Sequence, residues 1–335
     1  MSLRITLLAG GVGGARFTRG LREHLRDRGV EAEITVVVNT GDDLWLDGLR
    51  VCPDLDTVMY TLGGVIGDQG WGRAAESTRV SAELHAYGLG WDWFTLGDLD
   101  LGTHLARTEL LRTGRTLSEV TARLCERWQP GARLLPMSDQ PVETHVEVEL
   151  DGAVRLLHFE EWWVRLRARV PARRFVQVGV GDARPAPGVL EAITGADVVL
   201  LPPSNPVVSI GTILGVPGVR AALGATGAPV VGVSPILGGA PVRGMADACL
   251  TAIGVATTAA AVAAHYGARS AGGLLDGWLV DTVDADALGH LDASGIAARA
   301  LPLLMADHAT TAAIVEAALG LATDVAAAQR PSRRQ

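Results

Sequence analysis

At 335 residues and 48% hydrophobic, the chain can bury a large core, and one large or two modest domains fit its length. The net charge of −8 is spread over many short segments and argues against a nucleic-acid groove, which needs a basic surface. All 29 basic residues are Arg, which excludes a P-loop lysine, a Schiff base and a Ser–Lys dyad, and leaves any phosphate to backbone N–H groups, Arg or a metal.

The chain enters directly into a strand at 3–8, RITLLA, without the plan of a signal peptide. GGVGGAR then leads into an amphipathic helix at 17–28, and ITVVV at 34–38 is the next strand. This β–Gly-loop–α–β order predicts a parallel sheet with a right-handed crossover. Helical and loop-like text fills 57–86, and clearer helical stretches follow at 107–111 and 117–128. THVEVEL–DG–AVRLLHF alternates apolar and polar residues around Asp151-Gly152, which signals a hairpin. After the aromatic and basic stretch 161–174, α/β patterning resumes with strand FVQVGV, helix 188–194, buried run ADVVLL, helix 210–223 and buried run PVVGV. An Ala-rich helix at 246–265 precedes LLDGWLVD and ALPLLM, which read as late strands.

The expected class is therefore α/β: a Rossmann-like, doubly wound, mostly parallel sheet with an added smaller region that includes the hairpin. A single domain is expected over 1–325, with 57–175 as an inserted helical and hairpin region and 326–335 as a disordered tail. Apolar runs such as 230–236 are broken well short of a membrane span. Cys52, Cys125 and Cys249 stand in no metal spacing and read as reduced thiols, so a cytoplasmic protein is expected.

Several segments carry chemistry. VVVNTGDDLWLDGLRVCPDLDT places Asp42–Asp43 and Asp54–Asp56 close together after a buried strand, where open α/β sheets put their sites. Two such clusters facing one pocket would repel unless a divalent metal sat between them; the alternative is a solvated turn. Gly10, Gly11, Gly13 and Gly14, followed by Arg16, let backbone N–H groups approach a phosphate at a helix N-terminus, or else form a tight structural turn. Two further strand–turn–helix segments have anion-cradle character: Ser204, Asn205, Ser209 and Gly211 in one, Ser234, Pro235 and Ile236 in the other. Asp98, Asp100, His104 and Arg107 sit at the start of a helix, with Arg107 at i+3 from His104 so that the two share a face, or simply serve as caps and a surface arginine. Trp91/Trp93 and Trp162/Trp163 are placed either to stack a flat heterocycle or to anchor the core.

Taken in order, GGVGGAR, VVNTGDD, CPDLDTVMYTLGG, GWG, WFTLGDLDLGTHLART, LLPMSD, HFEEWWVR, PPSNPVVSIG and SPILGGAPVRGMAD closely resemble the 2-phospho-L-lactate transferase (CofD-like) family, over about residues 3–305. Within it, the actinobacterial phosphoenolpyruvate transferases of coenzyme F420 biosynthesis are the nearest match. The resemblance implies transfer of a phospho-three-carbon acid from a guanosine-diphosphate conjugate to the ribityl hydroxyl of the deazaflavin Fo, with release of GMP and a requirement for Mg2+. It also implies a homodimer acting on small molecules.

Carried over by position, the family motifs make Asp42 and Asp56 the metal ligands, with Asp43 or Asp54 assisting. Asp56 is also the position nearest the acceptor, together with Thr95 and Asp98. Thr95 stands where the family commonly has Lys or Arg, so this contact is lost or made by backbone. Leu99, Gln140 and Thr212 are further departures from the family's LGDRD, SDD and SIGPI. The glycine loop and the two serine turns would hold the guanosine diphosphate. The alternative within the resemblance is the sister group of regulatory proteins that bind nucleotide sugars without transfer, which PDLDT, LGDLDLGTH and HFEEWWVR match less closely. A nicotinamide-dependent oxidoreductase would need an acidic ribose-binding residue after the second strand, where Asn39 stands.

Overall fold

A computed structural model describes residues 2–329. β1 (Leu3–Ala9) and β2 (Ala32–Val38) flank α1 (Gly11–Asp27), and β3 (Leu44–Leu46) pairs with β4 (Leu49–Val51) in a short hairpin. The helices α2 (Pro53–Leu62), α3 (Arg79–Ala86), α4 (Asp98–Arg112) and α5 (Leu117–Trp128) follow, and then β5 (Arg133–Pro136). β6 (Glu143–Leu150), β7 (Ala153–His158) and β8 (Ala172–Val178) form a separate antiparallel sheet ordered β7-β6-β8. The remaining strands are β9 (Val198–Leu201), β10 (Val230–Val233), the small pair β11 (Ile236–Leu237) and β12 (Ala240–Pro241), β13 (Gly277–Val280) and β14 (Ala297–Ala300).

Seven strands pair in parallel in the order β14-β13-β10-β9-β1-β2-β5. Their residues are apolar on both faces because helices cover both. On β1, Leu7 packs with α1 and α2 on one side while its neighbour Leu8 packs on the other in a cluster with Ile193, Ile213 and Leu223 of the later helices. From β1 the chain winds outward to β2 and β5, then returns beside β1 at β9 and winds the other way to β14. The strand order therefore reverses between β1 and β9, and ligands of open α/β sheets bind outside the carboxyl ends at such a crevice.

The expected α/β class and the hairpin at Asp151-Gly152 are present, with both turn residues at positive φ. Several expected boundaries are corrected. The first helix starts at Gly11, so the glycines form its first turn rather than a loop before it. The helix expected at 210–223 is two, Ile210–Gly215 and Val219–Ala225, because Pro217 and Gly218 (φ 95°) break it. The Ala-rich 246–265 is likewise split into Ala246–Ala252 and Ala259–Tyr266, with Gly254 at φ 72° between them. Of ALPLLM only Ala300 is in a strand, and the rest has no regular structure. The span 57–175 is not one insertion, since β5 within it belongs to the main sheet.

Residues 326–329, expected in a disordered tail, are helical. The last helix, His308–Gln329, runs through 326–329, and Gln329 donates to Asp276 Oδ1 at 2.9 Å; residues 330–335 lie outside the described range. This helix is long and apolar enough to cross a membrane, but it buries Ile314, Val315, Ala318 and Leu321 beside α1 and the sheet. Gly20 permits that close approach, since a Cβ there would lie 2.2 Å from Thr311 Cγ2.

Trp278 on β13 is fully buried, donates Nε1–H to Ala259 O at 3.1 Å and fills the space above Gly232. Trp278→Ala is expected to cost about 3–5 kcal/mol through the cavity it leaves. Urea unfolding followed by circular dichroism should show a correspondingly lower midpoint.

Candidate active site

The carboxyl ends of β1, β2, β9 and β10 open into one cavity of about 870 Å³. Its walls are the first turns of α1, α2 and α4, the segments 67–78 and 93–97, residues 159–164, the turns after β9 and β10, residues 242–246 and the irregular stretch 303–305.

At α1 the first four N–H groups have no partner inside the helix. Gly10 N–H donates to Ser204 Oγ at 3.1 Å and Gly11 N–H donates to Asp54 Oδ1 at 2.7 Å. The N–H groups of Val12 and Gly13 have no side-chain acceptor among the described residues and border the cavity, so they remain for an anion. The glycines also serve packing. A Cβ on Gly13 would lie 2.3 Å from Pro203 O, and one on Gly14 would lie 2.6 Å from Ser204 Oγ. Their absence lets the turn after β9 seat directly on the helix.

Asn39 follows β2 directly and organises the first acidic group. Its Oδ1 accepts from Gly41 N–H at 2.9 Å, while Nδ2 donates to Asp42 Oδ2 at 3.2 Å and to Asp54 Oδ2 at 2.9 Å. Glu160 also lines the cavity and is buried. Burial, reinforced by Asp54, lifts the Glu160 carboxyl to about 8. Burial likewise lifts Asp54 to about 6, against the hydrogen bonds from Asn39 and Gly11. Asp42 is pushed well above the carboxylate range by burial and then by the charges of Asp54, Glu160 and Asp43. Its Oδ1 is buried without a hydrogen-bond partner.

A second acidic group lies on the α4 side. Asp100, His104 and Arg107 occupy i, i+4 and i+7, one face of α4. Arg107 donates to Asp56 Oδ1, and His104 Nδ1 lies 3.6 Å from Asp56 Oδ2. Tyr60 O–H donates to Asp100 Oδ1 at 2.6 Å. Asp56, Asp100 and His104 are close enough to hold a metal ion, but the Arg107 guanidinium already contributes a cation to this group.

The four aspartates expected around one cation are therefore divided, for reasons of local geometry. Asp54 and Asp56 are two residues apart on α2, about 200° around the helix axis, and cannot face one point. Asp43 turns away from the cavity into a buried ion pair with Arg50 at 3.3 Å. The pair that faces the cavity with Glu160 is Asp42 and Asp54, an all-oxygen donor set suited to a hard divalent cation.

The family model of 2-phospho-L-lactate transferase CofD matches residues 5–298. The chain belongs to this family. It is 61% identical over 324 residues to the phosphoenolpyruvate transferase of Streptomyces coelicolor, covering 96% of this chain and 99% of that one. It is 59% identical over 328 residues to the Thermobifida fusca phosphoenolpyruvate transferase and 55% identical over 328 residues to that of Mycolicibacterium smegmatis, covering 96% of this chain and 99% of the relative in both cases. The crystal structure of a Bacillus halodurans protein shares the fold, with a TM-score of 0.62 at 21% identity, covering 95% of this chain and 100% of that one.

Among the other residues singled out in this family member's sequence, Gly10, Gly11, Gly13, Arg16, Ser204, Asn205, Ser209, Ser234, Pro235 and Thr95 line the cavity. Gly14, Gly211 and Ile236 do not; Gly211 lies inside a helix, where a Cβ would come 2.9 Å from Pro206 O. Asp98 also lies off the cavity, because its carboxylate accepts from Ser77 N–H at 2.9 Å and Ser77 Oγ at 2.8 Å. Ser204 and Ser234 use their hydroxyls internally, on Gly10 O and Ile236 O, so they shape turns more than they offer donors. Trp93 and Phe94 form one aromatic part of the wall, and Phe159 and Trp163, stacked at 6.0 Å, form another.

The sequence reading missed Glu160, although HFEEWWVR was among the motifs that carried the resemblance. It also overlooked the Asn39 amide as a donor to Asp42 and Asp54, and Arg243, which lines the cavity, sits 5.1 Å over Trp71 and donates to Gln69 O.

Because Asp42, Asp54 and Glu160 have folded values above their ordinary range near about 4, the metal-free fold holds extra protons. Their stabilisation is complete below the unfolded values and is lost as pH rises through about 6 and then about 8. Thermal melts should thus show metal-free protein less stable at about pH 8.5 than at about pH 5.5 by this contribution. Gly13→Ala should cost about 1–3 kcal/mol by overpacking against Pro203, read as a lower midpoint in urea unfolding.

Proposed function

We propose that the protein transfers the phosphoenolpyruvyl group of enolpyruvyl-diphospho-guanosine to the ribityl hydroxyl of the deazaflavin Fo, giving dehydro-F420-0 and GMP. A 2-phospholactyl donor is the close variant of the same chemistry. The observation that carries this reading is the meeting, in one cavity, of an α1 N-terminus with free N–H groups, a carboxylate trio, and a separate arginine-held carboxylate. The high identity to phosphoenolpyruvate transferases supports the choice of donor.

In the reaction, the acceptor oxygen forms a bond to the phosphorus that carries the enolpyruvyl group. The bond from that phosphorus to the bridging oxygen breaks, and GMP leaves with the electron pair. Positioning and charge neutralisation carry most of such a transfer. Val12 and Gly13 N–H groups and the α1 dipole hold the diphosphate, with Arg16 at the same wall balancing charge. Asp42, Asp54 and Glu160 would hold Mg2+, which when bound supplies neutralisation of the diphosphate. Asp56 accepts a hydrogen bond from the ribityl hydroxyl and takes up its proton as the oxygen attacks. The aromatic walls Trp93–Phe94 and Phe159–Trp163 provide flat surfaces for the two ring systems. A cytoplasmic homodimer is part of the same reading.

Incubating purified protein with Mg2+, Fo and the donor should yield dehydro-F420-0 and an equal amount of GMP. No product with a competent donor would sink the reading. Asp54→Asn should raise the Mg2+ concentration for half-maximal rate by about tenfold to a hundredfold, and a curve superimposed on the parent's would remove Asp54 from the metal site.

A further inference from the structure

Arg107 is 2% exposed and lies behind Asp56, off the cavity surface. A buried guanidinium is tolerated only when its N–H groups are used and its charge is paired. Here Nη2 donates to Asp56 Oδ1, while Nη1 donates to Arg50 O at 3.3 Å and faces His104 Nδ1 at 3.1 Å. Arginine has donors only, so His104 Nδ1 is the acceptor and the ring proton sits on Nε2, 3.5 Å from Asp100 Oδ2. Asp100 is fixed in turn by Tyr60 O–H, and its own N–H donates to Glu76 Oε2 at 3.1 Å. One oxygen of Asp56 escapes this arrangement. Oδ2 is buried with no hydrogen donor, on a residue that lines the cavity.

We propose that Arg107 is a positioning residue for the acceptor. By holding Asp56 Oδ1 and His104 Nδ1 it presents Asp56 Oδ2 to the incoming hydroxyl. Its guanidinium also supplies the positive charge that a metal ion would otherwise bring to Asp56, Asp100 and His104. This rests on the reading that the acceptor hydroxyl docks at Asp56. The demand is specific for a planar fork. An ammonium is a single point of charge and cannot address the carboxylate, the imidazole and the Arg50 carbonyl in one plane.

The test compares Arg107→Met and Arg107→Lys with the parent, varying each substrate in turn at saturating Mg2+. Binding of the deazaflavin alone is followed by its fluorescence. In Arg107→Met the kcat/KM for acceptor should fall about a hundredfold, while the KM for donor is unchanged. Guanidinium ion added to Arg107→Met should recover part of the lost acceptor rate. Arg107→Lys should remain impaired toward acceptor despite keeping the charge.

Equal losses toward donor and acceptor, or an Arg107→Lys enzyme indistinguishable from the parent, would overturn the proposal. So would absence of guanidinium rescue in a folded Arg107→Met protein. Where Arg107→Met does not fold, Arg107→Lys carries the same comparison. If the parent itself forms no product, the transferase reading falls separately. Arg107 is then judged by deazaflavin binding: weaker binding in Arg107→Lys supports its role, and parent-like affinity overturns it.

Discussion

Concentrating carboxylates at the carboxyl end of the sheet, away from water, is the constraint to which the surrounding structure answers. Each ionised carboxylate there is costly unless it is paired or hydrogen-bonded. The chain answers differently at each one. Asp43 has Arg50, Asp56 has Arg107, and Asp54 has the Asn39 amide and the Gly11 N–H. For Asp42 Oδ1 and the Glu160 carboxylate no protein donor is provided among the described residues. Asp43 Oδ1 and Asp56 Oδ2 are likewise buried without a donor, so compensation is incomplete in both acidic groups.

The topology explains why these groups meet at all. β1 lies between β2 and β9, so the turn after each delivers side chains to the same crevice from opposite halves of the chain. Asp54 ties α2 to α1 by accepting from Gly11, and Ser204 ties the two halves together by bonding both the N–H and the carbonyl of Gly10. The small antiparallel sheet closes a further side. Thr144 N–H on β6 donates to Gly41 O at 2.6 Å, and the chain after β7 brings Glu160 to the cavity.

Much of the frame was legible because buried parallel strands write themselves as short apolar runs, and ADVVLL and PVVGV are as plain in the sequence as in the sheet. The start of α1 was not, because glycine is a poor helix former and its reason for being there is contact with Pro203 and Ser204, about 190 positions away by their numbering. The aspartates were found, but their partition was not drawn and Glu160 was not among them. Spacing within α2 already separates Asp54 from Asp56, whereas the opposite placement of Asp42 and Asp43 depends on a turn whose shape the sequence does not reveal. Arg107 was noticed beside His104, yet nothing local says that a helix arginine will be buried.

The helix α2 works as a partition, with Asp54 on one side and Asp56 on the other, and Pro53 fixing where its first turn begins. Inserting or deleting one residue within that first turn would rotate the remainder of the helix by about 100°. Where the change falls ahead of Asp54, both carboxylates would leave their partners at once. The segment PDLDT is therefore sensitive to length as well as to composition.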